Sequence, residues 1–257
     1  MFKHSVISVD YSDGWEKTLD HLPSTIRLLG LEKLTLVHVM ETYKRQHIED
    51  SPGAIEGHLK KLKEQLSSDL NVQVDYLLGR GFTASELLEA ARKVGADMVI
   101  ALNRCHSSGH ALFRGNIALN LARMTRIPVL ILPTDSKVAE PDGTVMLATD
   151  GSKSSRNAEK CFREFLGKGN PGLATWVDEG ENDANAVLEA LSSEFANVSV
   201  QRLKGSPGKA IVQAAQHEDP TLLIIGKRGA TPISELPLGS VAEYVTRESH
   251  SPVMLIP

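Results

Sequence analysis

Residues 221–257 read TLLIIGKRGATPISELPLGSVAEYVTRESHSPVMLIP. The apolar run Leu222 to Ile225 has strand length and opens into a glycine-bearing loop. A helical pattern follows from Ser240, and Pro252 to Pro257 encloses a second apolar run. Short runs rich in Val, Ile and Leu between Gly and Pro are typical of strands covered on both faces. Residues 97–133, DMVIALNRCHSSGHALFRGNIALNLARMTRIPVLILP, repeat this order at an offset of 124. The identities are Arg104/Arg228, Leu112/Leu236, Gly115/Gly239, Ala118/Ala242, Arg123/Arg247, Pro128/Pro252, Val129/Val253 and Pro133/Pro257. The chain is therefore read as a duplication.

The same offset carries Gly81 onto Gly205 and Ala90-Ala91 onto Ala214-Ala215. The two beginnings also correspond, Val6-Ile7-Ser8-Val9-Asp10-Tyr11-Ser12 lying over Met146 to Ser152 at an offset of 140. The first half thus holds about 16 extra residues, placed near Glu41 to Gly57 around the Ser51-Pro52-Gly53 turn signal. Each half alternates strand and helix, the pattern of an α/β fold with a parallel sheet. Strands are expected near 4–9, 34–39, 72–77, 98–102 and 129–132, with helices near 15–29, 55–68, 83–94 and 116–124. In the second half strands fall near 144–149, 172–177, 198–203, 221–226 and 253–256, and helices near 154–167, 183–195, 207–217 and 240–248. The stretch Pro133 to Gly143, with Pro141-Asp142-Gly143, serves as the linker, giving domains at 1–136 and 142–257. Leu59, Leu62, Leu66 and Leu70 mark the packed side of the second helix, with Lys60, Lys61 and Lys63 on its solvated side.

A hydrophobic content of 41% beside 23% charged residues excludes a disordered or fibrous chain. The formal net charge of -4 gives no basic surplus for displacing counterions from nucleic acid, so no nucleic-acid partner is expected. No apolar run approaches the ~18 residues of a membrane span. The N-terminus moves directly into a strand pattern with no apolar signal region, so a cytoplasmic address is expected. Cys105 and Cys161 lack a Cys-x-x-Cys spacing and read as free thiols.

In a doubly wound sheet the ligand lies beyond the strand carboxyl ends, where strand order reverses. The loop after the fourth strand of the second half carries Gly226-x2-Gly229-x9-Gly239-Ser240. Glycines let backbone amides approach phosphate oxygens with no side chain between them. Ser240 stands at a helix N-terminus, where unpaired amides and the dipole favour an anion. Together with Thr149-Asp150-Gly151-Ser152 and the closing Ser251 to Pro257, this spacing closely resembles the universal stress protein family. The resemblance covers both halves. It implies a Rossmann-like, adenine nucleotide alpha-hydrolase-like fold with a five-stranded, mostly parallel sheet and helices on both faces in each tandem domain. In the family's ATP-binding members the Asp after the first strand holds the adenosine end, and the glycines and final Ser surround ribose and phosphates. Those roles fall on Asp150, Gly226, Gly229, Gly239 and Ser240, with Val241 as an amide contact, and the implied ligand is ATP with Mg2+. The first half departs from the pattern, since Leu102, Cys105, Gly115 and Asn116 stand at the four motif positions. It is not expected to hold ATP in that manner.

Other readings of the same residues stay open. Ser240-x2-Glu243 is a capping box, which accounts for those two residues without any ligand. Asp150 has a sufficient role in a turn. Lys227 and Arg228 suit phosphates, and equally suit a solvated loop. Gly205-Ser206-Pro207-Gly208-Lys209 lacks the P-loop spacing and reads as a helix start with Pro at its first position. Cys105, His106 and His110 are three donors without a zinc spacing. The resemblance implies a stress-response or signalling protein acting through nucleotide and a protein partner, and a scaffold for a protein or another small ligand is the alternative. No nucleophile and base pair is evident, leaving weak ATP hydrolysis as the enzymatic reading. The closing strands resemble the family's dimer-forming edge, so the two halves are expected to pair within one chain, with a homodimer as a further arrangement.

Overall fold

The computed structural model of the chain describes residues 2–11, 13–41, 51–103, 117–133, 138–177, 184–229 and 238–257. The first half contains β1 (His4–Ser8), α1 (Asp13–Leu29), β2 (Lys33–Met40), α2 (Pro52–Leu70), β3 (Gln73–Arg80), α3 (Thr83–Val94), β4 (Met98–Asn103), α4 (Ile117–Met124) and β5 (Val129–Pro133). The second contains β6 (Val145–Ala148), α5 (Arg156–Gly167), β7 (Gly172–Val177), α6 (Ala184–Glu194), β8 (Val198–Leu203), α7 (Pro207–Glu218), β9 (Leu222–Gly226), α8 (Ser240–Glu248) and β10 (Val253–Ile256). Every element expected from the sequence forms within three residues of its expected bounds. Part of the extra length of the first half lies in α2, 19 residues long against 11 in α6.

The strands make one ten-stranded sheet in the order β3-β2-β1-β4-β5-β10-β9-β6-β7-β8. Within each half all neighbours are parallel. The halves meet where β5 and β10 pair antiparallel, Met254 opposite Leu130 and Leu255 opposite Val129. The strand carboxyl ends of the two halves consequently point in opposite directions.

Two apolar layers cover this sheet, and both run through the seam. Leu130, Leu132, Met254 and Ile256 face the layer of α1, α2, α5 and α6, while Val129, Ile131, Val253 and Leu255 face that of α3, α4, α7 and α8. This is the period-2 alternation of strands buried on both faces. At the sheet edge β8 is more open, with Ser199, Val200 and Arg202 exposed.

Local signals explain where the helices start and stop. Ser51 accepts a hydrogen bond from the Ala54 amide at 3.3 Å ahead of Pro52, and Asn71 closes α2 in the left-handed region. Ile55, Leu59, Leu62 and Leu66 are buried, whereas Lys63 leaves its expected solvated role to bond Asp75 at 3.0 Å. Bonds from Lys63 and Lys33 hold the Asp75 carboxyl below its ordinary value. In the second half α7 starts with Pro207 behind Ser206, as expected.

Close packing is tightest at Gly172, where a Cβ would come within 2.3 Å of Leu166 Cδ2 and 2.8 Å of Phe162 Cζ. Phe162 is fully buried. Gly172→Ala is expected to lower stability by about 1–3 kcal/mol through overpacking. Urea denaturation checks this, with the midpoint falling and the slope unchanged.

Candidate functional site

In the second half β6 and β9 are neighbours, while the chain continues from β6 toward β7 and from β9 toward β10. Strand order reverses there, and the loops leaving β6 and β9 flank the crevice. The turn after β6 is built by its own side chains. Asp150 Oδ1 accepts from the Ser152 amide at 3.0 Å, an Asx-turn in which Gly151 has φ +72°. Below it lies a buried cluster in which Thr149 Oγ1 donates to Glu159 Oε1 at 2.8 Å and Ser155 Oγ lies 2.9 Å from the same oxygen. The Gly151 amide donates to Thr149 Oγ1 at 3.1 Å, so the cluster reaches the turn itself. Ser152 Oγ is buried with no hydrogen-bond partner among the described residues.

The loop after β9 lies directly against this turn. A Cβ on Gly229 would come within 2.6 Å of Asp150 Oδ2, and one on Gly226 would meet backbone, Arg228 O at 3.1 Å and Ser154 O at 3.3 Å. A Cβ on Gly239 would lie 3.4 Å from Lys227 O and 3.8 Å from the Gly229 amide nitrogen. The Gly239 amide donates to Lys227 O at 3.0 Å, tying the start of the loop to its end. Asp150, Gly226, Gly229 and Gly239 are thus brought together. Arg228 and Ser240 are exposed beside them, and Val241 is half-buried in the first turn of α8.

The expected capping box does not form. Gly239 is the N-cap of α8, its carbonyl accepting from the Glu243 amide at 2.8 Å, and no side chain among the described residues caps the helix. Ser240 is already helical, and the Glu243 carboxylate is drawn away to Arg123 at 2.8 Å. Among the described residues the leading amides of α8 have no side-chain acceptor.

Lys227 is placed elsewhere than the sequence led one to expect. Its ammonium is buried and donates to Arg123 O at 2.9 Å and Thr125 O at 2.8 Å, at the end of α4 in the other half. Burial, with Arg228 nearby, lowers its pKa to about 8. Since a free Lys titrates near 10.4, the unfolded chain holds between those values a proton that the folded chain has lost, and folded stability rises with pH there. The neutral amine still has two N–H groups for its two carbonyls. Wild type is expected to gain roughly 2–3 kcal/mol relative to Lys227→Met between about pH 7 and about pH 10.5. Paired guanidinium unfolding curves at the two pH values check this.

The first half offers a different surface. Leu102 occupies the position of Gly226, half-buried against the core, and Tyr11 at φ +51° takes the left-handed place of Gly151. Cys105, Gly115 and Asn116, and the Cys105, His106 and His110 donors, lie outside the described residues.

A family model described as the universal stress protein family matches residues 1–133 and 167–257. The chain belongs to the universal stress protein family. A universal stress protein of Mycobacterium tuberculosis is 24% identical over 256 residues, covering 86% of either chain. One from Methanocaldococcus jannaschii is 29% identical over 136 residues, 44% of this chain and 80% of its own. A Synechocystis relative is 39% identical over 57 residues, so the match spans about half its length, 53%, and 22% of this chain. A solved universal stress protein from Archaeoglobus fulgidus aligns over 98% of this chain and 95% of its own, with a TM-score of 0.77 at 21% identity. That likeness is one of fold.

Ser155 and Glu159, which meet Thr149 beneath the Asp150 turn, are the residues that sequence reasoning missed. Their signal was present, since Ser155 and Glu159 stand four apart at the start of α5, on one helical face. No helix of the described residues is long and apolar enough to cross a membrane.

Proposed function

We propose that the second half binds an adenine nucleotide, ATP with Mg2+, between the Asp150 turn and the Gly226–Ser240 loop, and that the protein acts in the cytoplasm as a nucleotide-responsive stress or signalling protein. The observation that carries this is the contact between Gly229 and Asp150. A side chain at 229 would occupy the space against Oδ2, so the sequence keeps open a surface lined by a carboxylate and bare backbone. Ser152 Oγ is a buried hydroxyl with no hydrogen-bond partner among the described residues, and the helix start of α8, which no described side chain caps, suits an anion.

In this reading Asp150 accepts from the sugar hydroxyls and sets which end of the ligand enters. Gly226 and Gly229 let the backbone approach, and Gly239, Ser240 and Val241 present the amides of the helix start to phosphate. Arg228 is exposed at the rim and adds positive charge. Mg2+ would accompany the phosphates, bound through some of their oxygens and retained waters, and would offset their negative charge. Glu159, Thr149 and Ser155 keep the Asp150 turn in place without touching ligand. Leu102 in place of a glycine gives the first half a structural or partner-binding role.

Isothermal titration of the purified chain with ATP and Mg2+ tests the proposal. A saturable heat at a single site per chain is expected, with competition by other adenine nucleotides. No binding by wild type overturns it.

A further inference from the structure

The end of β9 and the end of β4 are equivalent positions in the repeat, yet they tie the two halves together by different chemistry. Asn103 Nδ2 donates to Thr246 O of α8 at 3.1 Å. Lys227, its counterpart at the offset of 124, places an ammonium on two carbonyls of the α4 C-terminus, where the helix dipole favours a cation. Both side chains are buried. Only the second tie starts inside a glycine loop. Lys227 stands between Gly226 and Gly229, its amide donates to Ile256 O at 2.7 Å, and its carbonyl accepts from Gly239. One residue therefore fixes the strand end, both ends of the loop and the opposite half. Next to it Arg123, whose carbonyl receives the ammonium, reaches back with its guanidinium to Glu243 in the first turn of α8.

We infer that Lys227 is a positioning residue for the second-half site, holding the Gly226–Gly229 turn and Gly239 in register by anchoring them to α4 of the first half, and not a phosphate ligand. This rests on the nucleotide reading above. The first half, with its altered loop, then serves as the rigid support against which the binding loop is set. A surface lysine meeting phosphate would serve ligand charge alone, whereas this anchor serves both ends of the loop, including the Gly229 end that lies against Asp150.

The test compares Lys227→Met, Lys227→Arg and Asn103→Ala with wild type, using ATP and adenosine as probes. Lys227→Met removes both donors and is expected to weaken ATP and adenosine alike, by at least tenfold. Lys227→Arg keeps donors for the two carbonyls and is expected to restore affinity to within about threefold. Asn103→Ala loosens the halves from the other side, and is expected to lower the melting temperature while leaving affinity within about twofold, a split that loss of docking alone would not produce. A loss confined to ATP would identify direct phosphate contact and overturn the inference, as would unchanged affinity in Lys227→Met or an equal loss in Asn103→Ala. Hydrogen exchange on the ligand-free proteins separates this inference from the nucleotide reading. Faster exchange at the Lys227 and Gly239 amides is expected in Lys227→Met, and unchanged exchange there overturns the anchor even if wild type binds no nucleotide.

Discussion

Gly229→Ala is expected to weaken ATP binding about 100-fold while leaving the fold intact, the loss of roughly one strong charge-assisted interaction. The reason is the identity of the atom that the new methyl meets. At 2.6 Å from Asp150 Oδ2 the contact is too short, so the carboxylate must shift, against the hold of the Ser152 amide on Oδ1. Displacing it removes the acceptor that the ligand needs. Gly226 differs, because its methyl would meet the backbone of Arg228, Ser154 and Ser155, so Gly226→Ala is expected to cost stability as well. Titration of Gly229→Ala, Asp150→Ala and the double variant checks the mechanism. The double variant is expected to bind no worse than Asp150→Ala, since the methyl then has no carboxylate to displace. Losses that simply add would show that Gly229 acts independently of Asp150.

Met254→Asp is expected to destabilise the whole chain by at least about 4 kcal/mol, because it buries an unpaired carboxylate at the seam. Met254 is fully buried, opposite Leu130 on one side and Ile224 on the other, with Cys161 Sγ 3.8 Å from its sulfur. Burial pushes the Cys161 thiol up to about 12, so it stays neutral beside the new carboxylate. Trp15 and Trp176 lie in different halves, both buried, and single-tryptophan variants report each half separately. Coincident urea transitions are expected from the two reporters in wild type, because both apolar layers cross the seam. In Met254→Asp both transitions are expected to move together to lower urea. A shift confined to the Trp176 reporter would mean that the halves unfold independently.

The fold was legible because its signals are local and repeated. Runs such as Leu222 to Ile225 have a period and length that mark buried strands, and the second copy of each run fixed the alignment. Ser51-Pro52 and Ser206-Pro207 marked helix starts by backbone chemistry that depends on no distant contact. The loop glycines were legible for a related reason, since absence of a side chain has few explanations. What escaped was set by tertiary contact. Glu243 resembled half of a capping box until Arg123, 120 residues away, claimed its carboxylate. Lys227 resembled a loop cation, and only the packing of α4 against the end of β9 gives its ammonium a destination. The Ser155 and Glu159 spacing was visible, but its meeting with Thr149 depends on how the turn after β6 folds back onto the start of α5.

The antiparallel β5–β10 pairing has a bearing on how this sequence was free to change. Two separate identical chains joined through that edge would form an isologous pair, in which every substitution appears on both sides of the axis. A leucine in the place of Gly226 would then close both crevices at once, and a lysine in the place of Asn103 would set two ammonium groups into the same seam. Covalent duplication releases that symmetry. One copy can surrender the first two of its motif glycines and become a foundation, while the other retains its glycine loop and leans on it, so division of labour between the halves is a property that no symmetric pair of identical subunits could acquire.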